Sequence, residues 1–69
     1  MKIFGVVRLR DHWTIIAGGK RWGRFPFRVD AEEAALRLAE RARAEGQAYE
    51  VLVQDVGGEM RPLKTASGA

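Results

Sequence analysis

The stretch "VDAEEAALRLAERARAEGQ", Val29 to Gln47, decides the fold, because it carries the clearest helical period of the chain. Apolar residues recur every three or four positions and share one face, which consists of Ala31, Ala34, Ala35, Leu38 and Ala42. Asp30 is a favourable N-cap, Glu33 follows at the spacing of a capping box, and Gly46 is a typical helix-ending residue. The pattern therefore predicts a helix that begins near Asp30, ends at Gly46 and packs closely on a sheet.

Three segments rich in β-branched and aromatic residues precede this helix and predict strands at Lys2–Leu9, His12–Ala17 and Arg21–Phe27. A tight connection at Arg10 and Asp11 joins the first two. Gly18 and Gly19 predict a hairpin turn between the second and third, because glycine tolerates positive φ. Pro26 cannot donate to a ladder, so the third strand is expected to lie at a sheet edge or to end there.

A fourth strand is predicted after the helix, at Tyr49–Asp55, and "VGGE" at 56–59 reads as a turn. Residues 60–63 form either a short fifth strand or an extended segment. The predicted fold class is α+β: a small, mainly antiparallel sheet in the order β-β-β-α-β, covered on one face by a single helix. Residues 1–63 are expected to form one domain and residues 64–69 a flexible C-terminal tail.

Composition excludes several classes of function. The 69 residues include no cysteine and one histidine, so neither a disulfide nor a metal centre is expected, and no cofactor is implied. No apolar run has membrane-spanning length, which predicts a cytoplasmic protein with no membrane partner. Thr14 and His12 lack an activating context, so we expect a binding protein and not an enzyme. A chain this short has a thin core, and association with a second copy would supplement it.

The charge of the chain is unevenly distributed. The net charge is +3, but residues 1–29 hold seven Lys or Arg against Asp11 alone, and residues 30–69 carry a net negative charge. A basic half of this kind predicts an anionic partner. Arg37 and Arg41 form a like-charged pair one helical turn apart, which could hold an anion, although a solvated helix face also explains it.

Side-chain alternation along the strands divides the sheet into two faces. The residues expected to face the helix are Ile3, Val7, Leu9, Trp13, Ile15, Phe25, Phe27, Tyr49, Val51 and Val53. The opposite face would then expose an apolar patch made of Phe4, Val6, Ile16, Trp22, Leu52 and Val56. A contiguous apolar patch of this size on a small protein is typical of an interface. A homodimer interface is therefore predicted at Phe4, Val6, Ile16, Leu52 and Val56.

The same face also predicts nucleic-acid binding. Bases would stack on Trp22 and Phe4, and phosphates would be contacted by four arginines, namely Arg8, Arg10, Arg24 and Arg28. The signature string of RNA-binding sheets is absent from the sequence. The leading hypothesis is a homodimeric nucleic-acid-binding or regulatory module. The alternatives are a protein-interaction module, antitoxin-like or of a phage-inhibitor type, that uses the same patch, and a structural dimer that binds no nucleic acid.

The order of motifs resembles a family of short, uncharacterised bacterial proteins. The matching segments are "WTII" at 13–16, "GGKRWGRF" at 18–25, "DAEEAALRLAERA" at 30–42 and "VLVQDVGGEMR" at 51–61. The chain departs from the family at "RFPF", where members usually carry a small polar residue. The resemblance implies a fold but no activity, since the family has none established. The layout is also similar to the N-terminal domains of HicB-type antitoxins, which bind a toxin.

Overall fold

The computed structural model describes residues 1–66, which form one helix and five strands and confirm the α+β class. The elements are β1 (Lys2–Arg8), β2 (Trp13–Ala17), β3 (Lys20–Phe25), α1 (Arg28–Ala44), β4 (Tyr49–Gln54) and β5 (Met60–Ala66). The fifth strand, which the sequence left open, is present and longer than the segment 60–63. Residues 64–66, which we expected in a tail, therefore lie in β5, and the rest of that prediction, at 67–69, falls outside the described residues.

The five strands form one sheet in the order β3-β2-β1-β4-β5. The sheet is mainly antiparallel, as predicted, with one parallel pairing between β1 and β4. The chain runs through β1, β2 and β3 to one edge, and α1 then carries it back across the sheet to β4 beside β1. The third strand is an edge strand, as Pro26 indicated.

The turn between β2 and β3 has the geometry that the sequence predicted. Gly18 and Gly19 have φ angles of 60° and 76°, and Ala17 pairs with Lys20 directly across the turn. Two consecutive positive φ angles are characteristic of the two-residue hairpins that match the twist of a sheet.

The start of α1 differs from the prediction, whereas its end agrees with it. The helix begins at Arg28, its N-cap is Phe27, and no side chain caps it, so the assignment of Asp30 as N-cap is wrong. At the other end Gly46 has a φ of 78° and its N–H donates to the Arg43 carbonyl at 2.9 Å. The N–H of Gln47 donates to the Ala42 carbonyl at 3.0 Å, which completes a Schellman motif.

The core lies between α1 and one face of the sheet. Its fully or nearly fully buried members are Phe4, Val6, Ile15, Ala31, Ala35, Ala39, Ala42, Tyr49 and Val51. The alanines let the helix axis approach the sheet closely, so that side chains from β1, β2 and β4 fill the space beneath it. Each fully buried valine or isoleucine, namely Val6, Ile15 and Val51, stabilises the fold by about 1.5–3 kcal/mol relative to exposure.

The prediction of which side of β1 faces the helix is wrong. Phe4 and Val6 are 6% and 0% exposed and lie in the core, whereas Ile3 is 51% exposed. Residues paired across a sheet share a face, and Val6 pairs with Ile15 on one side and Val53 on the other. Phe4 and Val6 are therefore unavailable to either the predicted nucleic-acid site or the predicted dimer interface.

Two other residues also lie away from the positions that alternation predicted. Phe27 does not enter the core: it is the N-cap of α1 and is 66% exposed. Val56 is fully exposed in the turn between β4 and β5 and does not belong to a sheet face. Of the predicted dimer residues, Ile16 and Leu52 remain on the face away from the helix, opposite Gly5 of β1. In the described part of the chain, no helix is long and apolar enough to cross a membrane.

Candidate functional site

A β-bulge in β3 decides where Trp22 lies. Trp13 pairs with Phe25 and Ile15 pairs with Trp22, so two residues of β3 stand opposite Thr14 alone. One of the two is Gly23, whose φ of 79° suits glycine and whose absent Cβ would lie 2.5 Å from the Phe25 ring. Because the bulge adds one residue, Trp22 and Phe25 share the helix side of the sheet. The prediction that Trp22 lies on the opposite face is therefore wrong.

The bulge is held by the buried hydroxyl of Thr14. This side chain is 1% exposed, and its Oγ1 donates to the Gly23 carbonyl at 2.7 Å and lies 3.3 Å from the Trp22 carbonyl oxygen. A buried hydroxyl is costly without a partner, and the bulge supplies one. The local structure around Trp22 is therefore fixed by a specific hydrogen bond.

The indole ring of Trp22 is both exposed and oriented. It is 48% exposed, and its Nε1 donates to the Ala17 carbonyl at 3.1 Å across the hairpin. The polar edge of the ring is thus satisfied within the protein. What the ring offers to a ligand is its apolar π face, which suits stacking and not hydrogen bonding.

Two clefts meet at Trp22, between the sheet and the second half of α1. Both are lined by Trp22, Leu38 and Arg41. The first, about 580 Å³ in volume, extends over Phe4 to Lys2, and the second, about 720 Å³, extends over Phe25 to Arg37. We call this continuous surface, defined by these residues, the Trp22 groove. Its floor is apolar and its helix wall is basic.

The helix wall carries two cations that the rest of the described chain does not neutralise. Arg37 and Arg41 are exposed and take part in no ion pair within residues 1–66, unlike Arg24, Arg28, Arg43 and Arg61. Two like charges at this spacing repel by about 0.2–0.5 kcal/mol in an isolated helix. The groove therefore carries positive charge that an anionic ligand would relieve.

Two carboxylates also line the groove. Glu40 lies 3.1 Å from Arg43 and is compensated within α1. Glu45 lines the first cleft together with Lys2 and Arg41. The cations that line the two clefts, namely Lys2, Arg37 and Arg41, leave the groove basic overall.

The six residues predicted to bind a partner do not form one site. Phe4 is buried beneath the first cleft, and Arg10 lies in the β1–β2 turn. Arg8 and Arg28 line a smaller cleft of about 270 Å³, next to Trp13 at the start of α1, and Arg28 Nε lies 3.5 Å from Glu32 Oε2. Of the six, Phe4 and Trp22 line the groove, and of these two only Trp22 is exposed.

Arg24, the remaining predicted residue, is held at the β1–β2 turn. Its Nη2 lies 3.2 Å from Asp11 Oδ2, and His12 Nδ1 lies 2.7 Å from Asp11 Oδ1. The hydrogen bond with His12, followed by the charge of Arg24, holds the pKa of Asp11 below its ordinary value. The turn thus contains a small exposed network that engages Arg24, and exposed pairs of this kind add little stability.

The described residues contain no group of three or more His, Asp or Glu side chains placed to hold a metal ion. Comparisons with known protein families, with curated proteins and with solved structures find no match to this chain. The resemblances to the short bacterial family and to HicB-type antitoxins therefore remain predictions.

Proposed function

We propose that this protein is a cytoplasmic, non-catalytic binding module that takes single-stranded nucleic acid in the Trp22 groove. One observation carries the proposal. A half-exposed indole, fixed by its hydrogen bond to Ala17, lies across an apolar cleft from the unpaired cations Arg37 and Arg41. An aromatic platform beside backbone-contacting arginines is the recurring arrangement of single-strand binding sites.

The geometry of Trp22 supports stacking with a base. The ring cannot offer its N–H to a ligand, because Ala17 already accepts that hydrogen bond. Its orientation is also set before a ligand arrives, which lowers the entropy cost of binding. Stacking of one base on such a ring contributes about 1–3 kcal/mol.

The charges on α1 support contact with a sugar-phosphate backbone. Arg37 and Arg41 are one turn apart, about 6 Å along the helix axis, on the wall that faces Trp22. The planar guanidinium group suits bidentate contact with phosphate oxygens. Lys2 continues the basic lining at the other end of the groove.

An unpaired strand fits the groove better than a duplex does. Bases inside a duplex are covered on both faces by their neighbours, so they cannot stack on Trp22. The first cleft is partly enclosed and the second is shallow, and each opens beside the indole. Every base has a π face, so binding is expected to depend weakly on sequence.

The test is fluorescence anisotropy of labelled DNA and RNA oligonucleotides, single-stranded and duplex, titrated with the protein at low and near-physiological salt. We expect single strands to bind more tightly than duplexes and binding to weaken as salt rises. Trp22→Ala is expected to weaken binding roughly 5- to 150-fold, which corresponds to about 1–3 kcal/mol. Trp22→Phe, which keeps an aromatic ring, is expected to retain most of the affinity.

Phe27→Ala is the matched control, because Phe27 is an exposed aromatic residue outside the groove and its loss should leave binding unchanged. Absence of binding to every oligonucleotide at low salt would contradict the proposal. That result would favour a protein partner, which is one of the alternatives predicted from the sequence. Equal losses in Trp22→Ala and Phe27→Ala would also contradict it, since the site would then lie elsewhere.

A further inference from the structure

A second surface, independent of the Trp22 groove, lies on the side of the sheet that α1 does not cover. We call it the open face. Strand register places on it Val7, Ile16, Leu52, Met60 and Pro62. The row of the open face that runs through Gly5 is apolar from Ile16 to Pro62, and no helix of the described chain covers it. Polar residues flank that row, namely Thr14, Arg21, Glu50, Gln54 and Thr65.

We propose that the open face binds a second copy of this chain, so that two sheets stack back to back. The interface differs from the one predicted from the sequence, of which it keeps Ile16 and Leu52. It loses the buried Phe4 and Val6 and the turn residue Val56, and it gains Val7, Met60 and Pro62. The proposal does not depend on nucleic-acid binding, because the groove lies on the other side of the sheet.

The centre of the open face is suited to close approach by another layer. Gly5 lies there between Ile16 and Leu52, and the Met60 Cε would be 3.4 Å from a Cβ placed on Gly5. Gly5 is itself buried, so the Met60 side chain already occupies the space above it and levels this part of the face. Met60 is 39% exposed and flexible, and methionine adapts readily to a partner surface.

The edges of the sheet are poorly suited to pairing, which favours association through the face. On β3, the bulge at Gly23 and the cations Lys20 and Arg21 interrupt the edge. On β5, a register shift opposite Val51 and Leu52 accompanies Pro62, which has no N–H to donate. Bulges, prolines and charges are the features that prevent edge-to-edge addition of a strand.

Charges at the margin of the open face fit a self-complementary surface. Arg21, opposite Ile16, lies at the β3 side, and Glu50, opposite Ile3, lies on β4. Neither makes an ion pair within residues 1–66. In a two-fold dimer a residue of one copy meets a different residue of the other, so Arg21 can face Glu50 across the interface.

The size of the open face sets the expected strength of the dimer. Five strands about 4.8 Å apart and about six residues long give a face of roughly 20 by 20 Å. That footprint, about 400 Å² per partner, is half of the roughly 800 Å² per partner of a standard interface. We therefore expect a weak, reversible dimer that forms toward the upper end of the micromolar range.

Sedimentation velocity of the protein alone, at concentrations from about 1 µM to 1 mM, tests this proposal. The mass is expected to rise from monomer to dimer across that range and to stay monomeric in Met60→Lys. Leu52→Lys is also expected to stay monomeric across that range. Because Met60 is already partly exposed, its substitution is expected to leave folding intact, and circular dichroism checks this. Val29→Lys, at a residue 56% exposed on α1, is the matched control and should still dimerise.

A monomer at 1 mM would overturn the proposal and leave the open face for a different partner. A dimer that persists in Met60→Lys and Leu52→Lys would overturn it as well, because association would then use another surface. Trp22→Ala is expected to dimerise like the unmodified protein. Failure of nucleic-acid binding and failure of dimerisation are thus measured separately.

Discussion

Replacing Thr14 by valine is expected to destabilise the protein and weaken binding in the Trp22 groove together. Valine keeps the shape of threonine but removes the hydroxyl that donates to the Gly23 carbonyl at 2.7 Å. Thr14 is 1% exposed, so valine itself fits, and the loss falls on the carbonyl that it leaves without its partner. Gly23 is an exposed residue of the edge strand, so water can replace the lost donor, and the expected cost is that of one net hydrogen bond, about 0.5–1.5 kcal/mol.

This cost is large for so small a domain. At about 0.05–0.15 kcal/mol per residue, a chain of 69 residues has a free energy of unfolding of roughly 3–10 kcal/mol. A loss of 1 kcal/mol lowers the melting temperature of a domain of this size by about 4–8 °C. Urea unfolding followed by circular dichroism measures the free energy, and thermal unfolding gives the shift in melting temperature.

Thr14→Ser separates the hydroxyl from the methyl group. Serine keeps the donor and loses one buried methyl, a change of about 0.8 kcal/mol. We expect Thr14→Ser to preserve oligonucleotide affinity, and Thr14→Val to reduce it, because the bulge that places Trp22 would relax. If Thr14→Val were as stable as the unmodified protein and bound equally well, the reasoning that the hydroxyl holds the bulge would be refuted.

Three further substitutions test other parts of the fold. Ala39→Leu is expected to lower the free energy of unfolding in urea by about 1–3 kcal/mol, because Ala39 is fully buried between helix and sheet. Ala44→Leu, at an exposed residue of α1, is the control and should change the free energy of unfolding by less than about 0.5 kcal/mol. Phe27→Asp is expected to stabilise the protein by about 0.5–1 kcal/mol, since the N-cap has extended geometry and no side-chain cap; no gain in melting temperature would contradict this. The hydrogen bond from Arg61, followed by those from the Glu59 and Gly57 amides, holds the pKa of Asp55 below its ordinary value of 3.8. Its contribution to stability is therefore complete above about pH 4 and is lost as pH falls through the lowered pKa, so Asp55→Asn should flatten the acid limb of a stability–pH curve.

The helix and the hairpin could be predicted from local sequence because their signals are local. The alanine period of α1 and the glycine at its end act within a few residues of chain. The same holds for Gly18 and Gly19, whose positive φ angles confirm the turn. The start of α1 was mispredicted because Asp30 looks like a cap, yet Arg28 and Val29 already adopt helical geometry without one.

The faces of β1 could not be predicted, because this strand is apolar on both sides. β1 lies between β2 and β4 in the middle of the sheet. Ile3 and Val7 on one side of the strand are as apolar as Phe4 and Val6 on the other side. The alternation of side chains therefore does not indicate which face of β1 turns toward the helix. That face is determined by the register in which β2 and β4 pair with β1. Val6 shares a face with Ile15 and Val53, and that pairing is a long-range property.

The candidate site was missed for a related reason. A β-bulge moves all later residues of a strand to the opposite face of the sheet. In "RWGRF", at 21–25, Gly23 is the only residue that indicates a bulge. With the bulge included, the sequence would place Trp22 and Phe25 on the helix side. The like-charged pair Arg37 and Arg41 was visible in the sequence, but its position opposite Trp22 follows only from the way α1 crosses the sheet.

The measurement that tests the central claim most directly is the salt dependence of single-strand binding in two double variants of equal charge. Arg37→Gln/Arg41→Gln removes the cations of the Trp22 groove, whereas Arg8→Gln/Arg10→Gln removes two from the other end of the sheet. Each lost phosphate contact should lower the slope of log affinity against log salt by about 0.7. We expect a slope lower by about 1.4 in Arg37→Gln/Arg41→Gln and little change in Arg8→Gln/Arg10→Gln. Equal slopes in the two variants, or a larger loss in Arg8→Gln/Arg10→Gln, would contradict this expectation.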